Sequence, residues 1–321
     1  MNRTTRSEAF HLYPARARAF IALVLLGLCL AACARETPQG LAKHLAAAYK
    51  AGDLNEAMTW FDLRDTPAIV QMMAIDTVSD CYGEFDCTVE AVPLSDEFKQ
   101  DMAKINANPN REFAVQPLGL IEVKGFAHNT PGAKPEMTST MPYGMVDGKY
   151  KIITERRTPQ RNAQLREKSA QAVADEKLAD GIGDPADKQW KSKATALPAD
   201  AGAPGRVLAD LVARRAAAYQ TQDFAALIAL GGLRAKILYR DHDASGKPRP
   251  VKLRQFTLRG QFLQDLADVK VLGGYVLDHT AAVIVDGRDG AGWIVRGVML
   301  MEKKNGTWTE SGRRTLEIPP G

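Results

Sequence analysis

The sequence predicts an α+β protein built from two similar domains, each a curved antiparallel sheet packed on an N-terminal helix. Three observations carry this expectation. Around residues 41–61 and 207–219 apolar side chains recur at helical spacing. Each of these stretches is followed by short apolar runs separated by turn residues, with no alternation of strand and helix of the kind that builds a parallel sheet. Several short patterns also return in the same order in the second half of the chain.

Leu41, Leu45, Ala48 and Tyr49 fall on one side of a helix whose alanines favour the helical backbone. Gly52-Asp53 ends or kinks it, and Leu54, Ala57, Met58 and Phe61 continue an apolar stripe. Ile75–Cys81 and Cys87–Leu94 read as two strands joined by a tight turn. Ser95 is the expected N-cap of a short helix carrying Phe98, Met102 and Ile105 on one face. Phe113–Phe126 and Met137–Met145 are strand-like, the first interrupted by Pro117 and Gly119. Asp147-Gly148 is a turn signal leading to an edge strand, Tyr150–Ile153. Met137, Met141 and Met145 are spaced by four, which would suit a helix stripe, yet Pro142 and Gly144 argue for a loop or irregular strand; a soft-metal site of these thioethers is the alternative to simple packing.

Residues 159–203 differ in character. Lys, Ala, Glu and Gln dominate from Arg161 to Leu178, and glycines and prolines follow, so a solvated helix and a loose linker are expected, with Trp190 docking it. Then the earlier pattern returns. Ala46–Tyr49 is echoed by Ala216–Tyr219, with Asp53 and Asp223 after them. Ala235–Arg240 and Val251–Leu258 read as a second hairpin, and Leu94–Ala103 aligns with Leu258–Ala267 without a gap. Asp147-Gly148 corresponds to Asn305-Gly306, and Arg156-Arg157-Thr158 to Arg313-Arg314-Thr315. The domains therefore run from 33 to 158 and from 204 to 321. In the second, Ala281–Val285 and Trp293–Met301 are strands, the latter central because Arg296 is its sole charge. This element order, with the Ala-Tyr/Asp pattern, resembles the nuclear-transport-factor-2-like and cystatin-like architectures, which implies a cone of sheet and helix with a concave face.

The first 32 residues read as a signal peptide: Arg3, Arg6, Arg16 and Arg18 precede an apolar run of roughly 16 residues, shorter than the ~20 that span a bilayer. Leu30-Ala31-Ala32-Cys33 resembles the lipobox of bacterial lipoprotein precursors. The resemblance implies cleavage before Cys33, acylation of that residue, palmitate included, and a mature protein anchored in the lipid bilayer. Ala34 follows where inner-membrane retention uses aspartate, so the resemblance implies the outer membrane, periplasmic face. Removing residues 1–32 takes away four arginines and Glu8 and leaves 38 Lys+Arg against 37 Asp+Glu. That balance, without a basic stripe, argues against nucleic acid as a partner. Of the four cysteines, Cys29 leaves with the signal and Cys33 takes lipid. Cys81 and Cys87 remain as a disulfide pair in an oxidising compartment, expected at the mouth of a hairpin.

Few residues invite chemistry. His242 lies between Asp241 and Asp243, and His279 follows Asp278. An envelope hydrolase or isomerase using either histidine is one alternative, and a structural spacer is another. No nucleophile elbow, metalloprotease helix or phosphate loop occurs, and no catalytic residue, metal or cofactor is expected. The leading expectation is a non-enzymatic outer-membrane lipoprotein working in periplasmic binding or envelope assembly, its partner an envelope protein, a peptide or a glycan. Strand alternation nominates Trp293, Val295, Met299 and Met301, with Tyr275 nearby, as ligand-binding residues, and Tyr150 and Met145 as weaker counterparts in the first domain. Two copies packed together would also create a broad groove between them.

Overall fold

The chain is α+β, with helices packed against curled antiparallel sheets. The computed structural model describes residues 36–128, 132, 134–174, 189–231, 242, 243 and 245–319. The expected signal segment, Cys33, Ala235–Arg240 and Asp241 lie outside the described residues, as does the side chain of Trp190.

The first half opens with α1 (Pro38–Ala51), whose stripe of Leu41, Ala42, Leu45, Ala48 and Tyr49 is buried as its periodicity predicts. Gly52, at φ +57°, turns the chain, and the Asp53 carboxylate caps α2 (Leu54–Thr59) by accepting from Glu56 N at 3.0 Å. Next come α3 (Ala68–Gly83), β1 (Phe85–Val92), α4 (Asp96–Ala107), β2 (Arg111–Phe113), β3 (Gly119–Ala127), β4 (Met137–Val146), β5 (Lys149–Ile152) and β6 (Glu155–Arg157). Strands β1, β3, β4 and β5 form one antiparallel sheet in that order, with β5 at an edge. The short β2 and β6 pair separately as a ribbon. Ser95 caps α4 as expected, its hydroxyl accepting from Phe98 N at 3.1 Å.

The second half follows α5 (Pro159–Ala174), α6 (Trp190–Lys193) and β7 (Thr195–Leu197). It comprises α7 (Gly202–Thr221), α8 (Phe224–Ala229), α9 (Val251–Phe262), β8 (Leu266–Leu277), β9 (Thr280–Asp289), β10 (Ile294–Lys304) and β11 (Thr307–Ile318). Its sheet order is β11-β10-β9-β8-β7, so β10 is paired on both sides. One face of this sheet buries Val283, Val285, Val295, Met299 and Met301 with Leu208 and Val212 of α7. The other face carries a smaller cluster of Tyr275, Ala282, Ile284 and Val298.

Two expected strands are helices. Ile75–Cys81 belongs to α3 and Val251–Leu258 to α9. Ala68, Ala74, Ile75, Val78 and Cys81 are spaced by three, four and seven, and all are buried. The β-branched side chains among them mask a helical period that packing enforces. The Cys81–Cys87 bond forms, with Cα atoms 5.4 Å apart, but it ties the last turn of α3 to β1 rather than clipping a hairpin. Closing that loop stabilises the fold by about 2 kcal/mol in the chain-entropy account. The matched segments Leu94–Ala103 and Leu258–Ala267 are also not equivalent in place. One runs from a loop into α4, whereas the other crosses from α9 into β8.

The described residues from Pro38 onward make one compact unit, in which α3 and α9 pack on each other. Leu253 and Phe256 of α9 are members of the first half's core. The close approach depends on two small residues: a Cβ at Gly83 would lie 2.5 Å from Leu253 Cδ1, and one at Gly260 would lie 3.2 Å from Met72 Cγ. Around this contact Lys252 donates to Ala51 O at 2.6 Å, Arg259 to Asn55 Oδ1 at 2.8 Å, and Arg249 pairs with Glu84. The helix expected to be solvated, α5, also packs: Leu165 and Ser169 are buried, it lies against β10 and β11, and Arg166 donates to Pro319 O.

Asp289 closes the β9–β10 connection by accepting from Trp293 N at 2.8 Å and Ala291 N at 3.0 Å. Burial pushes its carboxyl up to about 6 despite those two donors. A raised acid pKa in the folded state means that its stabilising contribution is complete below the unfolded value near 4 and is lost as pH rises to about 6. Asp289→Asn keeps an acceptor oxygen and removes the charge. The stability of this variant relative to wild type, measured by urea denaturation, should therefore rise between pH 4 and 6, by up to about 3 kcal/mol, and stay level above it.

Candidate functional site: an apolar groove in the first half

A groove of about 670 Å³ opens between α3, α4, β4 and the β2–β6 ribbon. Its helical wall is the outward strip of α3, where Ile69, Val70 and Met73 lie beside the buried stripe of the same helix, with the buried Thr77 at its margin. Ile69 is 49% exposed and Met73 61% exposed, unusual values for large apolar side chains on a helix that is otherwise well packed. The sheet wall comes from Ser139, Met141 and Pro142 of β4, and the floor from Phe61, Ile152 and Ile153. Helix α4 contributes Phe98 and Ile105, yet buries no residue fully. It is held chiefly at β2, where the Phe98 and Phe113 rings stand 6.0 Å apart.

Charge gathers at one end of the groove. Arg111 pairs with Glu155, and Arg156 donates Nε and Nη2 to Glu112 Oε1 at 3.0 and 2.9 Å. Arg157 donates Nη1 to the Glu317 carbonyl at 2.5 Å, and its guanidinium carbon lies 5.5 Å from the centre of the Trp293 ring. Burial of this half-covered guanidinium pulls its pKa below the usual arginine value. Asp101, at the lip, is tied to Lys104 at 2.7 Å. The groove thus joins an apolar body to a polar, arginine-rich end, which suits a ligand of the same two-part character.

A second cavity, about 650 Å³, lies where the halves meet, lined by Gly52, Asp53 and Asn55 on one side and Tyr219, Gln222 and Gln255 on the other. Lys252 and Arg259 reach across it to the backbone of Ala51 and the side chain of Asn55. Beneath, Tyr219 donates to Asp265 Oδ2 at 2.5 Å, and burial raises both pKa values.

The nominated residues Trp293, Val295, Met299, Met301 and Tyr275 are all buried, and none is among the lining of either cavity. Val295, Met299 and Met301 pack under α7, Tyr275 lies on the opposite face of the sheet, and Trp293 sits beneath Arg157. In the first half, Tyr150 meets Tyr143 edge-on and Met145 is exposed next to a turn. His279 is exposed in the β8–β9 turn, and His242 bridges to Pro248 near the tip of its loop; neither lines a cavity. Among the described residues no group of three metal-ligating side chains converges. The residues missed by reading the sequence are Ile69 and Met73. They are four apart, so a helical reading of residues 68–83 would have put both on one strip beside the core stripe.

The hydroxyls of Tyr49 and Tyr219 give a contrast that can be measured. Tyr49 is fully buried and its hydroxyl has no hydrogen-bond partner among the described residues, whereas that of Tyr219 satisfies Asp265. Tyr219→Phe should cost about 1–3 kcal/mol in denaturant unfolding, and Tyr49→Phe should be neutral or stabilising by up to about 1 kcal/mol. Compared with protein-family models, with curated proteins and with solved structures, the chain finds no match.

Proposed function

We propose that this chain is a lipid-anchored protein of the outer membrane, acylated at Cys33 and facing the periplasm, and that it works by binding through the apolar groove of its first half. The observation that carries the binding reading is that groove: about 670 Å³, within the ~300–1,000 Å³ of small-molecule sites, with Ile69 and Met73 left exposed along its wall. The anchoring reading rests on the basic head, short apolar run and Leu30–Cys33 lipobox resemblance. Only Ala34–Thr37 separates Cys33 from α1, a reach under about 20 Å even when extended, so an anchored protein keeps its folded body close to the lipid surface.

We also infer that the halves are copies of one α+β unit. Asp53 and Asp223 cap equivalent short helices, their carboxylates accepting from Glu56 N and Ala226 N. A longer helix and then strands β1-β3-β4-β5 follow in one half, as α9 and β8-β9-β10-β11 do in the other. The Asp147-Gly148 and Asn305-Gly306 turns share positive φ angles, 51° and 79° against 51° and 82°. Relative to the second copy, the first carries α4 and β2 as an insertion between its first two sheet strands, and that insertion forms part of the groove.

Two experiments test this reading. Radiolabelled palmitate should enter the wild-type protein in cells and be lost from Cys33→Ser; a mature protein that retains residues before 33 would refute the anchor. In solution, the unacylated mature protein should enhance the fluorescence of the neutral apolar probe N-phenylnaphthylamine. Met73→Glu, which sets a charge on the groove wall, should weaken that binding by ten-fold or more without loss of helicity. A wild-type protein that leaves the probe dark would end the groove reading.

A further inference from the structure

We propose that the groove takes a single-chain, monoanionic lipid, its acyl chain along α3 and β4 and its head against Arg157. This inference rests on the groove being the binding site and adds the class of ligand.

The argument is one of charge and shape. Among the charged groups that line the groove, Asp101 is answered by Lys104, Arg111 by Glu155, and Arg156 by Glu112. Arg157 differs. It donates to the backbone carbonyl of Glu317 and lies over the face of Trp293; the Glu317 carboxylate favours its charge from nearby but is paired with Arg313 at 3.7 Å, and Arg161 opposes it. A half-buried cation whose nearest carboxylate is shared with a second arginine leaves positive charge in excess at the polar end, and a single carboxylate or phosphodiester would balance it. The remainder of the site wants hydrocarbon. Ile69, Val70, Met73, Phe98, Ile105 and Met141 form a long apolar trough. Methionine side chains adapt to a flexible chain better than to a rigid ring. Entry is provided for, since α4 closes the trough with Phe98 and Ile105 but has no fully buried residue to hold it down.

The test is displacement of N-phenylnaphthylamine from the unacylated mature protein by oleate, by lysophosphatidylglycerol, by neutral monoolein and by an apolar helical peptide. One or both of the anionic lipids should compete at least ten-fold better than monoolein and the peptide, and which of them does so identifies the head. Arg157→Gln should reduce this advantage, a ratio of competitors measured on the same variant, to within about two-fold, with unchanged helicity and thermal midpoint reporting that the fold is intact. Arg157→Lys, with its charge kept, should restore most of the advantage. Probe binding with no preference for charged lipids, or an Arg157→Gln protein that still prefers them, would overturn the lipid assignment and leave the groove reading standing. Stronger competition by the peptide would assign the groove to a protein partner instead. Absence of probe binding in wild type would remove the groove reading, and this inference with it.

Discussion

The contact between α3 and α9 is what the remainder of the molecule depends on. It exists because Gly83 and Gly260 let two helices approach until Leu253 and Met72 reach across the seam. Through it Phe256 and Leu253 complete a core whose other members, Leu45, Ile75, Val78 and Ile121, belong to the first half. Once the inner strip of α3 is committed to that core and to α9, its outer strip has nothing left to pack on except α4 and the sheet edge. The groove is the result. Its apolar wall follows from a helix that is covered on one side and only lightly capped on the other.

The two halves treat the space beneath the sheet differently. In the second, Val295, Met299 and Met301 meet Leu208 and Val212 closely and the interior is filled. In the first, α4 and the β2–β6 ribbon stand away from the sheet and leave a trough. Trp293 links the regions: it is buried in the second half, and its ring lies under the guanidinium that guards the polar end of the groove in the first.

What could be read from the sequence was whatever has a short-range cause. Helix α1 follows from alanines and a regular stripe, α2 from the Asp53 cap, and α4 from the Ser95 cap. The Asp147-Gly148 and Asn305-Gly306 turns follow from residues that tolerate positive φ. Helices α3 and α9 were hidden because their Ile, Val and Thr residues favour strands locally, and tertiary packing between the helices overrides that preference. Alternation along β10 put Val295, Met299 and Met301 on one face and nominated them for ligand binding, but alternation cannot tell a filled interior from an open one, and here they pack in the core. The groove depends on empty volume between elements distant in sequence, and no local pattern encodes that. Reciprocal matching of Leu94–Ala103 with Leu258–Ala267 failed for a related reason: identical letters fell on different parts of the fold.

The position of Cys81 has a consequence for how the molecule is assembled. Its sulfur is enclosed by the same core that Leu253 and Phe256 complete, and it is almost wholly covered once α9 is in place. In the folded chain a reduced Cys81 would be screened from solvent, whereas Cys87 is only partly buried. The Cys87 partner is six positions along, so the crosslink joins two residues that are both synthesised well before α9. A chain still reduced when its seam closes would carry one thiol in the interior and the other nearer the surface, so that an oxidant would have to engage Cys87 first.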